Sequence, residues 1–482
     1  MTQANKFHLR PLLLLISLCL GFLLAQGLQA ADEKIPAKTL HPQEQKIPPK
    51  EAEQLFRDVD EILKFASQDT GLPIKEQIKR RLTTRDEVVA YLEKSMSEDK
   101  DAQRLRRSEL VLKKFGLLPH EFELQKFLVL LLREQVAGYY DAKTKTVNLL
   151  DWLDADAQRP VMAHELTHAL QDQSFGIEKW LKVGDTDLND LKEITPQDIE
   201  NDEISEARQA VVEGQAMVTL VDYMLAPTKH SLLESPQIAD SLKEQMLSGT
   251  DDSPTFRDAP IFMKEELTFP YRYGLDFTAD LLKNGGKSKA FAGAFAKPPR
   301  STRQIMEPKT YLSDEHLEPV RLPDFKEDFK NYDRFDIGSI GEFDVAVLVD
   351  EYAGQNASHD IYPHWRGGYY YAGRPKGDSS APLVLLYFSV WSDPEAAAKF
   401  AGIYAKALPK RYKRVDEVAA GGARPVDLKT LDSLTGSHTW SADDGPVVID
   451  VEGNSVVITE SLDQATTSRL QHELLPPAAV AK

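Results

Sequence analysis

Two histidines and a glutamate stand at a spacing that could bind a metal ion. In His164-Glu165-Leu166-Thr167-His168 the histidines are four residues apart, which places both imidazoles on one helix face, one turn apart. Both can then reach a single Zn²⁺ at about 2.0–2.1 Å. Glu165 can take a proton from a water that the metal activates. The pattern predicts His164 and His168 as ligands and Glu165 as the general base. The alternative is a pair of histidines that make hydrogen bonds on a helix surface.

A catalytic zinc site needs a third protein ligand and an open position. The continuation His-x-x-Gly-x-x-His is absent after His168, because residues 171–176 read Gln-Asp-Gln-Ser-Phe-Gly. Residues 205–225 have the pattern of a mostly apolar helix and carry Glu213, 213 − 168 = 45 residues after the second histidine. A carboxylate on such a helix is costly unless it meets a cation. Glu213 is therefore predicted as the third ligand, and a buried salt bridge with Arg208 is the alternative.

Two neighbours of Glu213 on the same predicted helix bear on this site. Gly214 in a helix interior costs about 1 kcal/mol relative to alanine, and a close approach of the two metal-bearing helices would explain its presence. Glu206 precedes Glu213 by seven residues and lies on the same helix face. Glu206 is therefore a candidate to accept a hydrogen bond from a ligand histidine.

The first thirty residues have the order of a secretory signal peptide. Lys6 and Arg10 form a basic start, residues 12–24 form an apolar run, and Ala30 offers a small residue for cleavage. The alternative is a membrane anchor, but the run is shorter than the ~20 residues that a span needs. The pattern predicts cleavage, a periplasmic or secreted protein, and no stable membrane insertion after cleavage.

The charge balance excludes several classes of partner. The formal net charge is −18, and removing Lys6 and Arg10 with residues 1–30 gives −18 − 2 = −20. A balance this acidic argues against nucleic acid and anionic lipid surfaces as partners. The single cysteine, Cys19, lies in the predicted signal peptide, so the mature chain is expected to offer no thiolate to a metal.

The remaining sequence predicts an α+β protein with two domains after a linker at residues 31–50. Residues 51–320 are mainly helical, and residues 321–482 form an α+β accessory domain. A hairpin of residues 136–140 and 146–150 precedes the metal helix at 157–175, and an acidic connection spans 176–204. The accessory domain is predicted to have strands at 345–349, 368–371, 383–390, 447–451 and 455–459, and helices at 394–407 and 463–474.

The motif and the distant Glu-Gly-x-Ala resemble the gluzincins, the thermolysin-like zinc peptidases with a glutamate as third ligand. A group of bacterial predicted metallopeptidases is similar over about residues 50–320. The shared stretches are residues 136–141, 164–173, 212–216, 269–271 and 298–308. The resemblance implies a zincin-like, mainly helical domain with a small sheet on the metal helix, and hydrolysis of peptide bonds by water. One position departs from the family: Met217 stands where thermolysin-like enzymes have an aspartate, so Glu206 and Asp172 become the candidates for that carboxylate.

The predicted reaction also needs a donor to the oxyanion. Tyr271 and Tyr273 are the candidates, and the alternative is that both tyrosines are packing residues. Residues 139–140 lie in a strand before the metal helix, where an edge strand in gluzincins pairs with extended substrate.

Three functions fit these features. The first is an exported zinc peptidase that acts on a peptide or protein substrate. The second is a hydrolase with the same metal that cleaves a different bond, as in an amidase acting on cell-wall peptides. The third is a non-catalytic exported binding protein with a structural zinc, against which Glu165 argues, because a structural site has no use for that residue.

Overall fold

The computed structural model describes residues 46–88, 90, 99–135, 138–182, 188–248, 253–418 and 426–475. The predicted signal peptide and residues 31–45 of the predicted linker lie outside these ranges. Within them, no helix combines the length and the apolar character that crossing a bilayer requires.

The chain is mainly helical as far as residue 328. The first helix shows why: its apolar residues recur at helical spacing, Leu55, Val59 and Ile62 are buried, and Gly71 ends it in the left-handed conformation at φ 74°. The helices of this part are α1 (Pro49–Thr70), α2 (Asp99–Phe115), α3 (Leu124–Gln135), α4 (Ala155–Phe175), α5 (Ile177–Leu181), α6 (Pro196–Leu225), α7 (Pro236–Ser248), α8 (Pro254–Arg257), α9 (Ile261–Ser288), α10 (Ala294–Ala296), α11 (Thr302–Met306), α12 (Pro308–Leu312) and α13 (Phe325–Asp328). A π-helical turn, Lys289–Gly293, joins α9 to α10.

A small sheet lies beside α4. Its strands are β1 (Lys79–Thr83), β2 (Tyr139–Asp141) and β3 (Thr146–Leu150), in the order β1-β3-β2. β2 and β3 pair antiparallel, which confirms the predicted hairpin, and β1 pairs with β3 in parallel. β2 therefore lies at one edge of the sheet, beside α4. Residues 136–137 of the predicted first strand lie outside the described ranges.

A second, seven-stranded sheet occupies the C-terminal part, so the chain is α+β. All of its neighbouring strands pair antiparallel, in the order β4-β5-β6-β10-β9-β8-β7. The elements are β4 (Tyr332–Ser339), α14 (Glu342–Ala353), α15 (Gln355–Ile361), β5 (Trp365–Pro375), β6 (Val384–Trp391), α16 (Pro394–Arg411), β7 (Val415–Glu417), β8 (Gly436–Ala442), β9 (Gly445–Glu452), β10 (Ser455–Glu460) and α17 (Gln464–Leu474).

The helical part and the second sheet share one hydrophobic core. Phe115 of α2 meets Tyr370 and Tyr387 of the sheet edge-on, with ring centroids 6.0 and 5.9 Å apart. The same cluster of buried apolar residues reaches from Leu55 to Ile458. The two parts are thus packed face to face, and the boundary after residue 320 stays a prediction.

Two predicted elements were wrong. Residues 345–349 are not a strand but the middle of α14, where Asp344 accepts the N–H of Gly341 at 2.6 Å and caps the helix. A short apolar run reads the same way in a buried strand and in a buried helix. The acidic connection ends at Pro196 rather than at residue 204, because Thr195 and Asp198 form a capping box that starts α6 nine residues early.

Three helices meet at one pair of carboxylates. Asp69 at the end of α1 faces Asp222 of α6, and Lys287 of α9 donates to Asp69 at 3.1 Å. Burial and the charge of Asp69 raise the pKa of Asp222 to about 6. Since the pKa of this carboxyl in the unfolded chain is about 3.9, ionising it costs more in the folded protein, and stability falls as the pH rises from about 4 to about 6.

We expect Asp222→Asn to stabilise the protein at pH 7.5 and to change little at pH 4. The neutral amide removes the repulsion from Asp69 and keeps an oxygen for the Leu232 N–H, which Asp222 accepts at 2.6 Å. The free energy of unfolding at pH 7.5 should rise by about 1–2 kcal/mol, since the carboxylate is only partly buried. Urea unfolding at both pH values measures it. Glu53→Gln, on the exposed face of α1, is the control and should stay within about 0.5 kcal/mol. An equal gain at both pH values would contradict the electrostatic cause.

Candidate metal centre

The helix α4 carries the predicted motif through the interior of the protein. Asp154 caps its N-terminus by accepting the N–H of Asp156, and Gly176 ends it at φ 66°. All residues from Val161 to Asp172 are buried, so α4 has no solvent face along this stretch. His164 is 1% exposed and His168 is 5% exposed. The histidines are therefore not a surface pair.

The helix α6 runs alongside and brings Glu213 to both histidines. Glu213 is 1% exposed, and the Gln209 side chain donates to its Oε1 at 2.7 Å. The other carboxylate oxygen, Oε2, lies 3.2 Å from His164 Nε2 and 3.4 Å from His168 Nε2. Arg208 does not meet this carboxylate; it donates to the Trp180 carbonyl at 2.5 Å and stacks on the indole.

The three donor atoms form a nearly equilateral triangle. The two Nε2 atoms are 3.0 Å apart, and each lies 3.2–3.4 Å from Glu213 Oε2. Ligands at about 2.0–2.1 Å in a tetrahedral site would be about 3.3–3.4 Å apart. His164, His168 and Glu213 thus form a buried triad that could hold a metal ion.

The charges of the triad support one another. Burial would raise the pKa of Glu213, but His168 and His164 overcome it and hold that pKa below its ordinary value. Burial opposes protonation of His168, and the Glu213 carboxylate outweighs it and raises the pKa of His168 to about 9. Burial lowers the pKa of His164. Without a metal, the site therefore holds a carboxylate and one imidazolium, and a cation that binds must displace that proton.

Glu165 lies next to the triad, and one of its two carboxylate oxygens makes no hydrogen bond to the described residues. Its Oε2 accepts the backbone N–H of Tyr140 at 2.8 Å, while its buried Oε1 has no hydrogen-bond partner among the described residues. Burial raises the pKa of Glu165 to about 7, which suits a group that takes and returns protons near neutral pH. The contact with Tyr140 also fixes the edge strand β2 against α4.

Two glutamines that the sequence analysis missed fix the orientation of His168. Gln171 Oε1 lies 2.9 Å from His168 Nδ1, and Gln171 Nε2 donates to the Val212 carbonyl at 3.0 Å and to Gln215 Oε1 at 3.0 Å. Gln215 Nε2 donates in turn to the carbonyls of Ala290 and Phe291 in the π-helical turn. Because each amide nitrogen must donate to a carbonyl, Gln171 turns its oxygen to His168, which leaves His168 Nε2 available to a metal ion. The only signal in the sequence was Gln171 at three residues after His168, on the same helix face.

Gly214 does allow a close approach, but with a different helix from the one predicted. A Cβ on Gly214 would lie 2.0 Å from the Gly274 carbonyl oxygen of α9, and a Cβ on Gly274 would lie 2.2 Å from the Ala210 carbonyl oxygen. The backbones of α6 and α9 therefore touch directly behind Glu213. The prediction that Gly214 serves contact between the two metal-bearing helices was wrong.

The two candidate tyrosines lie on opposite faces of α9, as their spacing of two residues requires in a helix. The Tyr271 ring stacks on His164 with centroids 6.2 Å apart and is 1% exposed. Tyr273 packs against Phe269 and Phe343, with centroids 5.3 and 6.5 Å away. The structure brings Tyr271 to the triad and does not bring Tyr273 there.

Asp172 and Glu206, the two candidates for the carboxylate that Met217 replaces, have different surroundings. Asp172 accepts the Tyr140 hydroxyl at 2.9 Å and pairs with Lys145, so it braces the hairpin. Glu206 is buried on α6, 3% exposed. The oxygen at His168 Nδ1 comes from Gln171 rather than from either of them.

Comparison with known proteins gave no match among protein-family models, curated proteins or solved structures.

We expect Glu213→Gln to weaken zinc binding by more than about 100-fold, because the variant keeps the volume and loses the anionic ligand. Zinc titration against a competing chelator measures the affinity. Glu206→Gln changes another buried glutamate on the same helix and should weaken binding less. Equal affinities for Glu213→Gln and the unchanged protein would place the third ligand elsewhere.

Proposed function

We propose that the chain is an exported zinc-dependent peptidase. The observation that carries the proposal is the placement of Glu165, whose unpartnered Oε1 is buried beside three converging donor atoms. Metal ligands alone do not identify a general base. A carboxylate that does not belong to the triad and has a pKa near neutrality is what general-base catalysis requires.

The donor set favours zinc. Two imidazole nitrogens and one carboxylate oxygen are the ligands of catalytic zinc sites in hydrolases, and the triangle of donor atoms has the dimensions of a tetrahedral zinc site. Structural zinc sites have four protein ligands. Among the described residues, the cluster that could hold a metal has three, which favours the catalytic reading.

A zinc ion held there would supply Lewis-acid chemistry, activating water and polarising a peptide carbonyl. Glu165 would take the proton at Oε1 and deliver it to the leaving amine. Tyr140 N–H holds Glu165 Oε2 in place, so the acceptor keeps its position during transfer. Gln171 holds the His168 ring, and Tyr271 buttresses the His164 ring from α9.

The edge strand β2 is the proposed docking element for an extended peptide, with one constraint. Tyr140 N–H points away from β3 and is already bonded to Glu165. Substrate pairing along this edge would therefore use the remaining outward groups of β2 or displace that bond. The amidase alternative shares all of these residues, and the choice between the two hydrolases depends on the substrate. The structural-zinc alternative leaves Glu165 without a role.

We expect Glu165→Gln to keep zinc and to lose nearly all hydrolysis of an unfolded protein substrate. The amide can still accept the Tyr140 N–H but cannot take a proton, and a general base contributes typically 10²–10⁴-fold. Zinc content and initial rates on the same preparations measure the two effects. The unchanged protein should lose activity on chelation and regain it with zinc. If the unchanged protein, loaded with zinc, cleaves nothing in a broad peptide library, the enzyme proposal is contradicted.

Export is proposed from the basic start, the apolar run and Ala30. N-terminal sequencing of the protein from its native envelope should begin near Ala31 or Asp32. An intact Met1 in the membrane fraction would show an anchored protein instead.

A further inference from the structure

A second site of chemical interest lies on the other side of α9 from the triad. A cavity of about 160 Å³ opens between α9, α14 and α15. Its polar wall includes Glu265, Arg272 and Asp350, and its aromatic wall includes Tyr273, Phe343 and Tyr362. Tyr271 touches His164, whereas Tyr273, two residues on, faces this cavity. The cavity is thus separate from the metal centre.

The Asp350 carboxylate in the cavity makes no direct ion pair with the described residues, although the charges of His359 and Arg272 act on it from the same lining. Arg272 donates to Glu265 Oε2 at 2.7 Å, so these two side chains neutralise each other. The Asp350 side chain makes no hydrogen bond and no ion pair within the described part of the chain. Burial and the charge of Glu265 raise the pKa of Asp350 to about 6. At neutral pH the carboxylate is therefore ionised, and its environment disfavours the charge.

The surroundings of Asp350 suit a cation with an apolar body. The rings of Phe343 and Tyr362 offer π faces, which attract ammonium groups, whereas the Tyr273 ring already has the Arg272 guanidinium 5.4 Å from its centre. The hydroxyls of Tyr273 and Tyr362 make no hydrogen bond to the described residues and can accept from an ammonium group. Leu247 and Val347 add aliphatic surface. His359 also lines the cavity, but it is exposed, so it does not close the site against a ligand.

We propose that this cavity binds a primary alkylammonium group, with Asp350 as its counter-ion and the tyrosine and phenylalanine rings around its methylene chain. A free aliphatic amine and the lysine side chain of a peptide present the same group. An ammonium ion has three donors, and the Asp350 carboxylate with the two tyrosine hydroxyls offers three acceptors. The volume admits a chain of a few methylenes.

Isothermal titration calorimetry of the purified full chain at pH 7.5 tests the proposal. The probes are pentylamine and Nα-acetyl-lysine N-methylamide, and their neutral counterparts are pentanol and Nα-acetyl-norleucine N-methylamide. We expect saturable binding of at least one ammonium probe and much weaker binding of its neutral counterpart. Binding of pentylamine alone would identify a free amine as the ligand, and binding of the lysine derivative would identify a peptide side chain.

Asp350→Asn should weaken the binding of the ammonium probe by about tenfold or more, since hydrogen bonds to charged groups are the stronger ones. Glu351→Gln is the matched control, because Glu351 is the next acid along α14 and Lys410, outside the cavity lining, stabilises its charge. Thermal melts establish that both variants are folded. Equal affinities for ammonium and neutral probes, no binding of either ammonium probe, or equal losses in the two variants would each overturn the proposal.

Discussion

The contact of one buried carboxylate with two buried imidazoles is the interaction on which the helical part depends. Glu213 lies in the middle of α6, and the residues on either side of it along this helix are all buried. An unpaired charge there would be very costly. Its position against His164 and His168 fixes how α4 and α6 lie together. The direct backbone contact of Gly214 with Gly274 then sets α9 behind the same carboxylate. Three long helices thus take their relative positions around a single charge.

The side chain that contacts the His168 ring from outside the triad, Gln171, is uncharged, and so is its own partner Gln215. Their amide directions are fixed by main-chain carbonyls on α6 and on the π-helical turn. A carboxylate at the Gln171 position would hold the same imidazole and add a second negative charge to the interior. With glutamine there, Glu213 supplies the negative charge among the groups that contact the two imidazoles.

The sequence predicted those parts of the site that follow from local spacing. His164, Glu165 and His168 share a helix, and the cost of burying Glu213 singled it out before any fold was known. The hairpin beside α4 followed from its alternation and its polar turn. The role of Gln215 and the partner of Gly214 could not be predicted, because they depend on which helices pack together across 40 residues or more. Helix α14 was missed for another reason: a valine-rich run is compatible with either element until its cap and its packing are known. The sequence could not tell which of Tyr271 and Tyr273 lies at the site. The packing of α9 turns Tyr271 to the triad and Tyr273 to the opposite face.

The burial of the triad governs how fast a metal can enter or leave. His164, His168 and Glu213 expose between 1% and 5% of their surface, so little of the three ligand side chains is open to a free ion or a chelator. Exchange of a bound metal would then be slow, and its rate would depend on the free energy of local opening around the triad. A chain that folds around one divalent ion would then retain it for long times. Since nitrogen and oxygen sites bind copper more strongly than zinc, the ion found in the protein would record which metals were available where the chain folded.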